Sequence, residues 1–188
     1  MNIFTEELEE HKKTIEKIYH LNEIIIKTCE EITKAIKRGN KILIFGNGGS
    51  AADAQHMAGE LINRFLKERE PYPAVALTTD TSTLTSISND YSFEYVFSRQ
   101  IKALAREGDI AIGITTSGNS ENVIEGLKEA RRKNCITVGL LGKDGGKAKR
   151  FCHYPLIVPV SSTPRIQEMH ILIIHTICKI VEEIVDSA

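Results

Sequence analysis

The sequence predicts a three-layer α/β sandwich, doubly wound around a five-stranded parallel sheet and extended by helices at both ends. Two observations carry this. Five short apolar runs, rich in β-branched residues, recur at Ile42–Phe45, Ala74–Leu77, Ile110–Ile114, Ile136–Leu141 and Tyr154–Val158. Stretches with helical spacing lie between them, and apolar strands that alternate with helices imply a parallel sheet covered on both faces.

The elements follow in order. From Phe4 to Lys37 apolar residues (Leu8, Ile15, Ile18, Leu21, Ile24, Ile25, Ile32, Ile36) recur at helical spacing, and Arg38-Gly39-Asn40 ends the region as a glycine past a helix does. One long helix or two satisfy this pattern. Such an arm packs on another subunit or covers its own sheet, and both readings stay open. After the first strand comes a helix over Ser50–Leu66. After the second come helical stretches over Thr81–Ser88 and Phe93–Ala105. Ser120–Lys133 follows the third strand, and a short helical piece near Gly146–Phe151 follows the fourth. The last helix runs from Pro164 to Val185, with Thr163 as its cap and Pro164 at its first position. No internal repeat, low-complexity tract or linker interrupts the chain. It is read as one domain over 1–188, an arm over 1–39 and a core with its C-terminal helix over 40–188.

Bulk composition narrows the function. The 188 residues suit one domain with a substantial core, and 41% hydrophobic with 26% charged residues is a globular composition. A formal charge of -1 gives no basic excess for nucleic acid. Cys29, Cys135, Cys152 and Cys178 are scattered without a Cys-x-x-Cys pair and read as small buried hydrophobes in a reducing cytoplasm. Met1 to Lys13 is charged and lacks the apolar core of a signal peptide. The apolar stretch Ile171 to Val181 is interrupted by His175 and Lys179, too short and too polar to span a bilayer.

Two strand ends carry anion-friendly sequence. In Gly46-Asn47-Gly48-Gly49-Ser50 the glycines let backbone N–H groups turn inward, the next helix adds a partial positive charge, and Ser50 adds a hydroxyl. Thr115-Thr116-Ser117-Gly118-Asn119-Ser120 offers a cluster of hydroxyls ahead of another helix. Neither is a Walker A loop, because no lysine follows the glycines. The first is no dinucleotide fingerprint, since Ala51 replaces the third glycine and only Asp80 lies near the end of the next strand. Two such turns on one sheet favour a single phosphate held from both sides, hence a phosphorylated small molecule.

His56 and Glu60 are four residues apart and share a helix face, which Arg64 continues. They are read as a surface salt bridge or as proton-transfer and metal-binding groups. His175, inside the run Ile171–Ile177, is a core histidine or a buried acid, base or metal ligand. Gln167 and His175 are about 12 Å apart along an ideal helix axis. Joint service to one metal therefore asks for a bend or for ligands from different subunits.

Phe45-Gly46-Asn47-Gly48-Gly49-Ser50, Asp53-Ala54-Gln55-His56, Glu60-Leu61, Thr79-Asp80-Thr81-Ser82, Asn89-Asp90, Thr116–Ser120 and Arg165-Ile166-Gln167-Glu168 with His175 together resemble the sugar isomerase (SIS) domain family. Within it the chain is similar to the bacterial phosphoheptose isomerases, over nearly its whole length. The resemblance implies a flavodoxin-like SIS fold and conversion of sedoheptulose 7-phosphate to D-glycero-D-manno-heptose 7-phosphate. That reaction opens ADP-heptose synthesis for lipopolysaccharide or other surface glycans. It further implies a cytoplasmic homotetramer with active sites at subunit interfaces and one zinc ion per subunit. By motif, Gly48, Ser50, Thr115, Ser117 and Ser120 line the phosphate site, with Thr116 and Asn119 shaping its loop. His56, Glu60, Gln167 and His175 form the metal site, and Glu60 and His175 the acid/base pair. Asn47, Arg64, Asp90 and Gln167 serve the substrate. Pro164 stands where some relatives carry an Asp, so a sugar contact from that carboxylate is absent. A regulator that binds the replication initiator protein shares this fold, but resembles the chain without equivalents of Glu60 and His175. A sugar-phosphate sensor without turnover is the third reading.

Overall fold

The computed structural model describes residues 2–186. Met1, Ser187 and Ala188, which the single-domain reading includes, lie outside them. The five strands are β1 (Ile42–Gly46), β2 (Ala74–Ala76), β3 (Ile110–Thr115), β4 (Ile136–Gly142) and β5 (Tyr154–Val158). They pair in parallel in the order β2-β1-β3-β4-β5. All residues of β1 and β3 are buried, which explains why these runs are continuously apolar rather than alternating.

The helices are α1 (Ile3–Glu16), α2 (Asn22–Lys37), α3 (Gly49–Ile62), α4 (Thr81–Asp90), α5 (Val96–Leu104), α6 (Glu121–Arg132) and α7 (Thr163–Asp186). The two-residue period of a strand sends its side chains to opposite layers. Ile42 and Ile44 of β1 join Ile32 of α2, Met57 of α3 and Ile173 of α7 in one core. Leu43 and Phe45 join Phe97 of α5 and Val123 and Leu127 of α6 in the other. Each such fully buried side chain stabilises the fold by about 1.5–3 kcal/mol before conformational entropy is set against it.

The N-terminal arm is two helices separated by a 3₁₀ turn, Tyr19–Leu21. α2 buries Cys29, Ile32 and Ala35 against its own sheet. α1 buries only Thr14 and leaves Ile3, Phe4 and Leu8 at least half exposed. Besides Ile15, partly buried against the core, it is held by polar bonds to α7. The Arg165 guanidinium donates to the Glu7 carbonyl at 2.6 Å and pairs with the Glu7 carboxylate at 3.0 Å. His11 Nδ1 lies 2.6 Å from Glu168 Oε2.

Two sequence expectations need correction. The helix expected over Ser50–Leu66 ends at Ile62, because Asn63 takes non-helical angles (φ -82°, ψ -92°). Arg64 therefore does not continue the His56–Glu60 face. Thr163 is not the cap of the last helix and Pro164 is not its first residue: the Ser162 carbonyl accepts the first helical bond, from Ile166, so Thr163 and Pro164 are the first and second helical residues.

The four cysteines are free thiols. Burial pushes Cys29 and Cys178 up to about 12 and Cys135 up to about 11, which makes them inert hydrophobes. Among the described residues no helix is long and apolar enough to cross a membrane.

Candidate active site

The chain leaves β1 toward β2 on one side, and β3 carries the sheet away on the other, so the topological switch point lies between β1 and β3. Ligands of open α/β sheets bind there, outside the carboxyl ends of the strands. Gly46 pairs with Ile114, so both anion-friendly turns leave the sheet side by side.

Gly48, at φ +54°, turns the backbone into α3, and Ser50, only 4% exposed, sits in the first turn of that helix. Opposite, Thr115 Oγ1 lies 3.0 Å from Ser120 Oγ and 3.3 Å from Ser117 Oγ. Ser120 occupies the cap position of α6 but makes no side-chain cap bond there. Its hydroxyl has turned to Thr115. Asn119 donates its backbone N–H to Ser117 Oγ at 3.1 Å, and its Oδ1 accepts from the Lys147 N–H at 3.1 Å. Thr116 is half-buried between these residues, with its carbonyl against Gly142. Gly118, at φ +67°, presses so closely on Gly145 and Gly146 that any side chain would overlap their backbone.

A pair of amides locks the two turns together. Asn47 Nδ2 donates to Asn122 Oδ1 and Asn122 Nδ2 donates to Asn47 Oδ1, both at 2.8 Å. Asn122 is 4% exposed in the first turn of α6, and sequence reasoning missed it. A poor helix former among the apolar positions of that helix was the available signal. Asp80 serves as the cap of α4, accepting from the Thr83 N–H and hydroxyl, rather than as a ligand for ribose. Asp90 ends α4 exposed, with its Oδ1 taking the Asn89 amide at 2.8 Å. A cavity of about 130 Å³ opens beside the glycine turn, walled by Thr78, Leu84, Phe93 and Phe97.

The second half of the site lies between α3 and α7. His56 Nε2 and His175 Nε2 face each other at 2.9 Å. Glu60 Oε1 is 3.5 Å from His56 Nε2. His175 also stacks on Phe65, with ring centroids 5.6 Å apart. The His56 side chain keeps 42% of its surface exposed and Glu60 25%, so the group opens outward. Gln167 lies against Gly49 instead, some seven residues and about 10 Å back along α3 from His56. Arg64 lies just beyond the end of α3, 3.9 Å from Glu68 at a largely exposed position.

One turn ahead of His56, Asp53 Oδ2 is buried without a hydrogen-bond partner among the described residues. Burial raises its carboxyl above the ordinary value, and His56 acts against that shift. Among the described residues no three His, Cys, Asp or Glu side chains form a ready metal cage. The donor types nonetheless suit zinc: two imidazole Nε2 atoms 2.9 Å apart, with a carboxylate one helical turn from the first.

A family model for the SIS domain matches residues 6–142. The phosphoheptose isomerase of a Nitratiruptor species is 54% identical over 178 residues, covering 94% of this chain and 95% of that protein. The chain belongs to the SIS-domain family and, within it, to the phosphoheptose isomerases. Two solved structures share the whole architecture. The phosphoheptose isomerase of Neisseria gonorrhoeae superposes with a TM-score of 0.91 at 42% identity, covering 96% of this chain and 97% of its own. That of Francisella tularensis gives 0.93 at 35%, covering 97% of each. The fold expected from the SIS resemblance is the fold observed, and the isomerase assignment holds with it.

Proposed function

We propose that this enzyme converts sedoheptulose 7-phosphate to D-glycero-D-manno-heptose 7-phosphate, the first step toward ADP-heptose for lipopolysaccharide or surface glycans. The whole chain acts as one SIS unit. The observation that carries the reading is the meeting of His56, Glu60 and His175 on the pair of helices whose other end bears the phosphate-type turn.

The positive end of the α3 dipole, Ser50 and the hydroxyls of Thr115, Ser117 and Ser120 hold the phosphate. Asn47, Gln167 and Asp90 orient the sugar, and Arg64, exposed in the loop after α3, reaches it from outside the helix. Isomerisation takes a proton from C1 of the ketose and returns one to C2, while the hydroxyl proton passes from O1 to O2. Glu60 and His175 divide these transfers as base and acid. His56, Glu60 and His175 would hold one zinc ion per subunit, with the Gln167 amide oxygen as fourth ligand once it leaves Gly49 or arrives from a neighbouring subunit. Bound zinc supplies a Lewis acid that stabilises the developing oxyanion.

A homotetramer with sites at its interfaces fits the exposed Ile3, Phe4 and Leu8 of α1 and the exposed Tyr91 and Phe93 just beyond Asp90. A reducing cytoplasm fits four free cysteines. The direct test is turnover of sedoheptulose 7-phosphate against other ketose phosphates. Glu60→Gln and His175→Ala should each abolish it while the assembly stays intact. Near-normal turnover in either purified variant would sink the acid/base assignment.

A further inference from the structure

The loop between α3 and β2 is built around a buried ion pair that the chemistry above does not use. Arg69 and Glu182 have side chains only 3% and 1% exposed, with Arg69 Nε donating to Glu182 Oε1 at 3.1 Å. Breaking such a pair leaves an uncompensated charge in the interior, so its two members are held in place together. What they hold is specific. The Glu182 carboxylate accepts the backbone N–H groups of Phe65, Leu66 and Lys67 at 3.1, 2.9 and 3.0 Å. These bonds keep the carboxyl charged, below its ordinary value despite burial. They also fix the backbone of Phe65, whose ring lies against His175, two turns before Glu182 on α7.

Arg69 works on the other partner. Its Nη2 donates to the Glu60 carbonyl at 2.8 Å and its Nη1 to the Leu61 carbonyl at 3.0 Å. These belong to the last turn of α3, where helical carbonyls lack partners and a cation is favoured. The guanidinium plane is backed by the Tyr72 ring, 3.8 Å away. One planar fork thus ties the end of the Glu60 helix to the Glu182 carboxylate, which in turn seats Phe65 on His175.

We propose that Arg69 and Glu182 are positioning residues for isomerisation: through the α3 C-terminus and the Phe65 ring they hold Glu60 and His175 in register. The role rests on the acid/base reading of that pair. A lysine at 69 keeps the charge but cannot reach two carbonyls and a carboxylate at once. A glutamine at 182 keeps the shape but cannot serve four donors as a carboxylate does.

The test uses the full chain in its native assembly with ¹³C-labelled histidine. Phe65→Leu defines the His175 ring signal without the stacked phenyl. Arg69→Lys and Glu182→Gln should each move the His175 signal toward that position, and lower kcat at least tenfold while KM changes less than threefold. The spectrum reads the geometry whether or not sedoheptulose 7-phosphate is the substrate. A shifted signal in a protein whose wild type does not turn over that sugar would overturn the substrate assignment and leave the positioning contact standing. An unmoved His175 signal in both variants would overturn the proposal, as would wild-type kcat in either. A loss confined to thermal stability, with signal and kcat intact, would show a merely structural pair and overturn it equally.

Discussion

Gly118→Ala tests whether the hydroxyl turn is one rigid piece with the Gly145–Gly146 turn. Gly118 sits at φ +67°, where an L side chain costs about 1–2 kcal/mol on backbone grounds alone. The added methyl would also overlap the Gly145 carbonyl and the Gly146 nitrogen. Backbone cannot swing aside as a side chain can, so the two turns must part. Parting breaks the bond from Ala148 N–H to the Gly118 carbonyl (2.9 Å) and the bond from Lys147 N–H to Asn119 Oδ1 (3.1 Å). Each is worth about 0.5–1.5 kcal/mol net. The sum, about 2–5 kcal/mol, falls on stability and on the placement of Ser117 and Ser120 together. Denaturant unfolding should show that loss. Steady-state kinetics on sedoheptulose 7-phosphate should show kcat/KM down by a factor on the order of 100, mostly through KM, because uniform binding of the phosphate is what the turn supplies. Wild-type stability together with wild-type KM would refute the rigid coupling of the turns.

Other outcomes follow from the same geometry. Asn122→Leu removes both amide bonds to Asn47 and strands a polar group, so it should cost about 2–3 kcal/mol in denaturant unfolding and raise KM severalfold. His170 is fully buried, its Nε2 is 3.2 Å from the Leu141 carbonyl, and burial pushes it from 6.5 down to about 4. The unfolded chain then binds a proton that the folded chain refuses. This contribution to stability is complete above about pH 6.5 and falls by up to about 3 kcal/mol as pH drops toward 4. His170→Gln should flatten that slope in unfolding curves taken between about pH 4 and 7. Metal analysis of protein purified without added metal should find one zinc per subunit and His56→Ala should carry none; full activity in metal-free protein would remove zinc from the mechanism.

The sheet was legible because burial on both faces writes itself as unbroken apolar runs such as Ile110–Ile114. Helix ends were less so. Asn63 breaks α3 although Leu61, Ile62, Phe65 and Leu66 continue a helical pattern, because the buried Glu182 captures the N–H groups of Phe65, Leu66 and Lys67. No local pattern announces a partner some 115 residues away. The same distance effect hid Asn122, whose partner Asn47 sits 75 residues earlier. His56 and Glu60 were legible as a pair from spacing, whereas the approach of His175 depended on α3 and α7 lying side by side.

The Arg165-Ile166-Gln167-Glu168 motif shows how a signature can mix duties. Arg165 and Glu168 are one helical turn apart and grip α1 through Glu7 and His11. Ile166 is fully buried in the core of the sheet layer. Gln167 alone turns toward Gly49 and the phosphate-type turn. A 3.6-residue period forces this division, since consecutive residues on a helix face different ways. The motif therefore does two jobs at once: it seats an arm with exposed apolar side chains and presents an amide to the site. Pro164 is compatible with both, because the N–H it lacks would have no helical partner in the first turn. Any change that frees α1 from Arg165 should then disturb the site through the orientation of Gln167, even though α1 contributes no candidate catalytic residue.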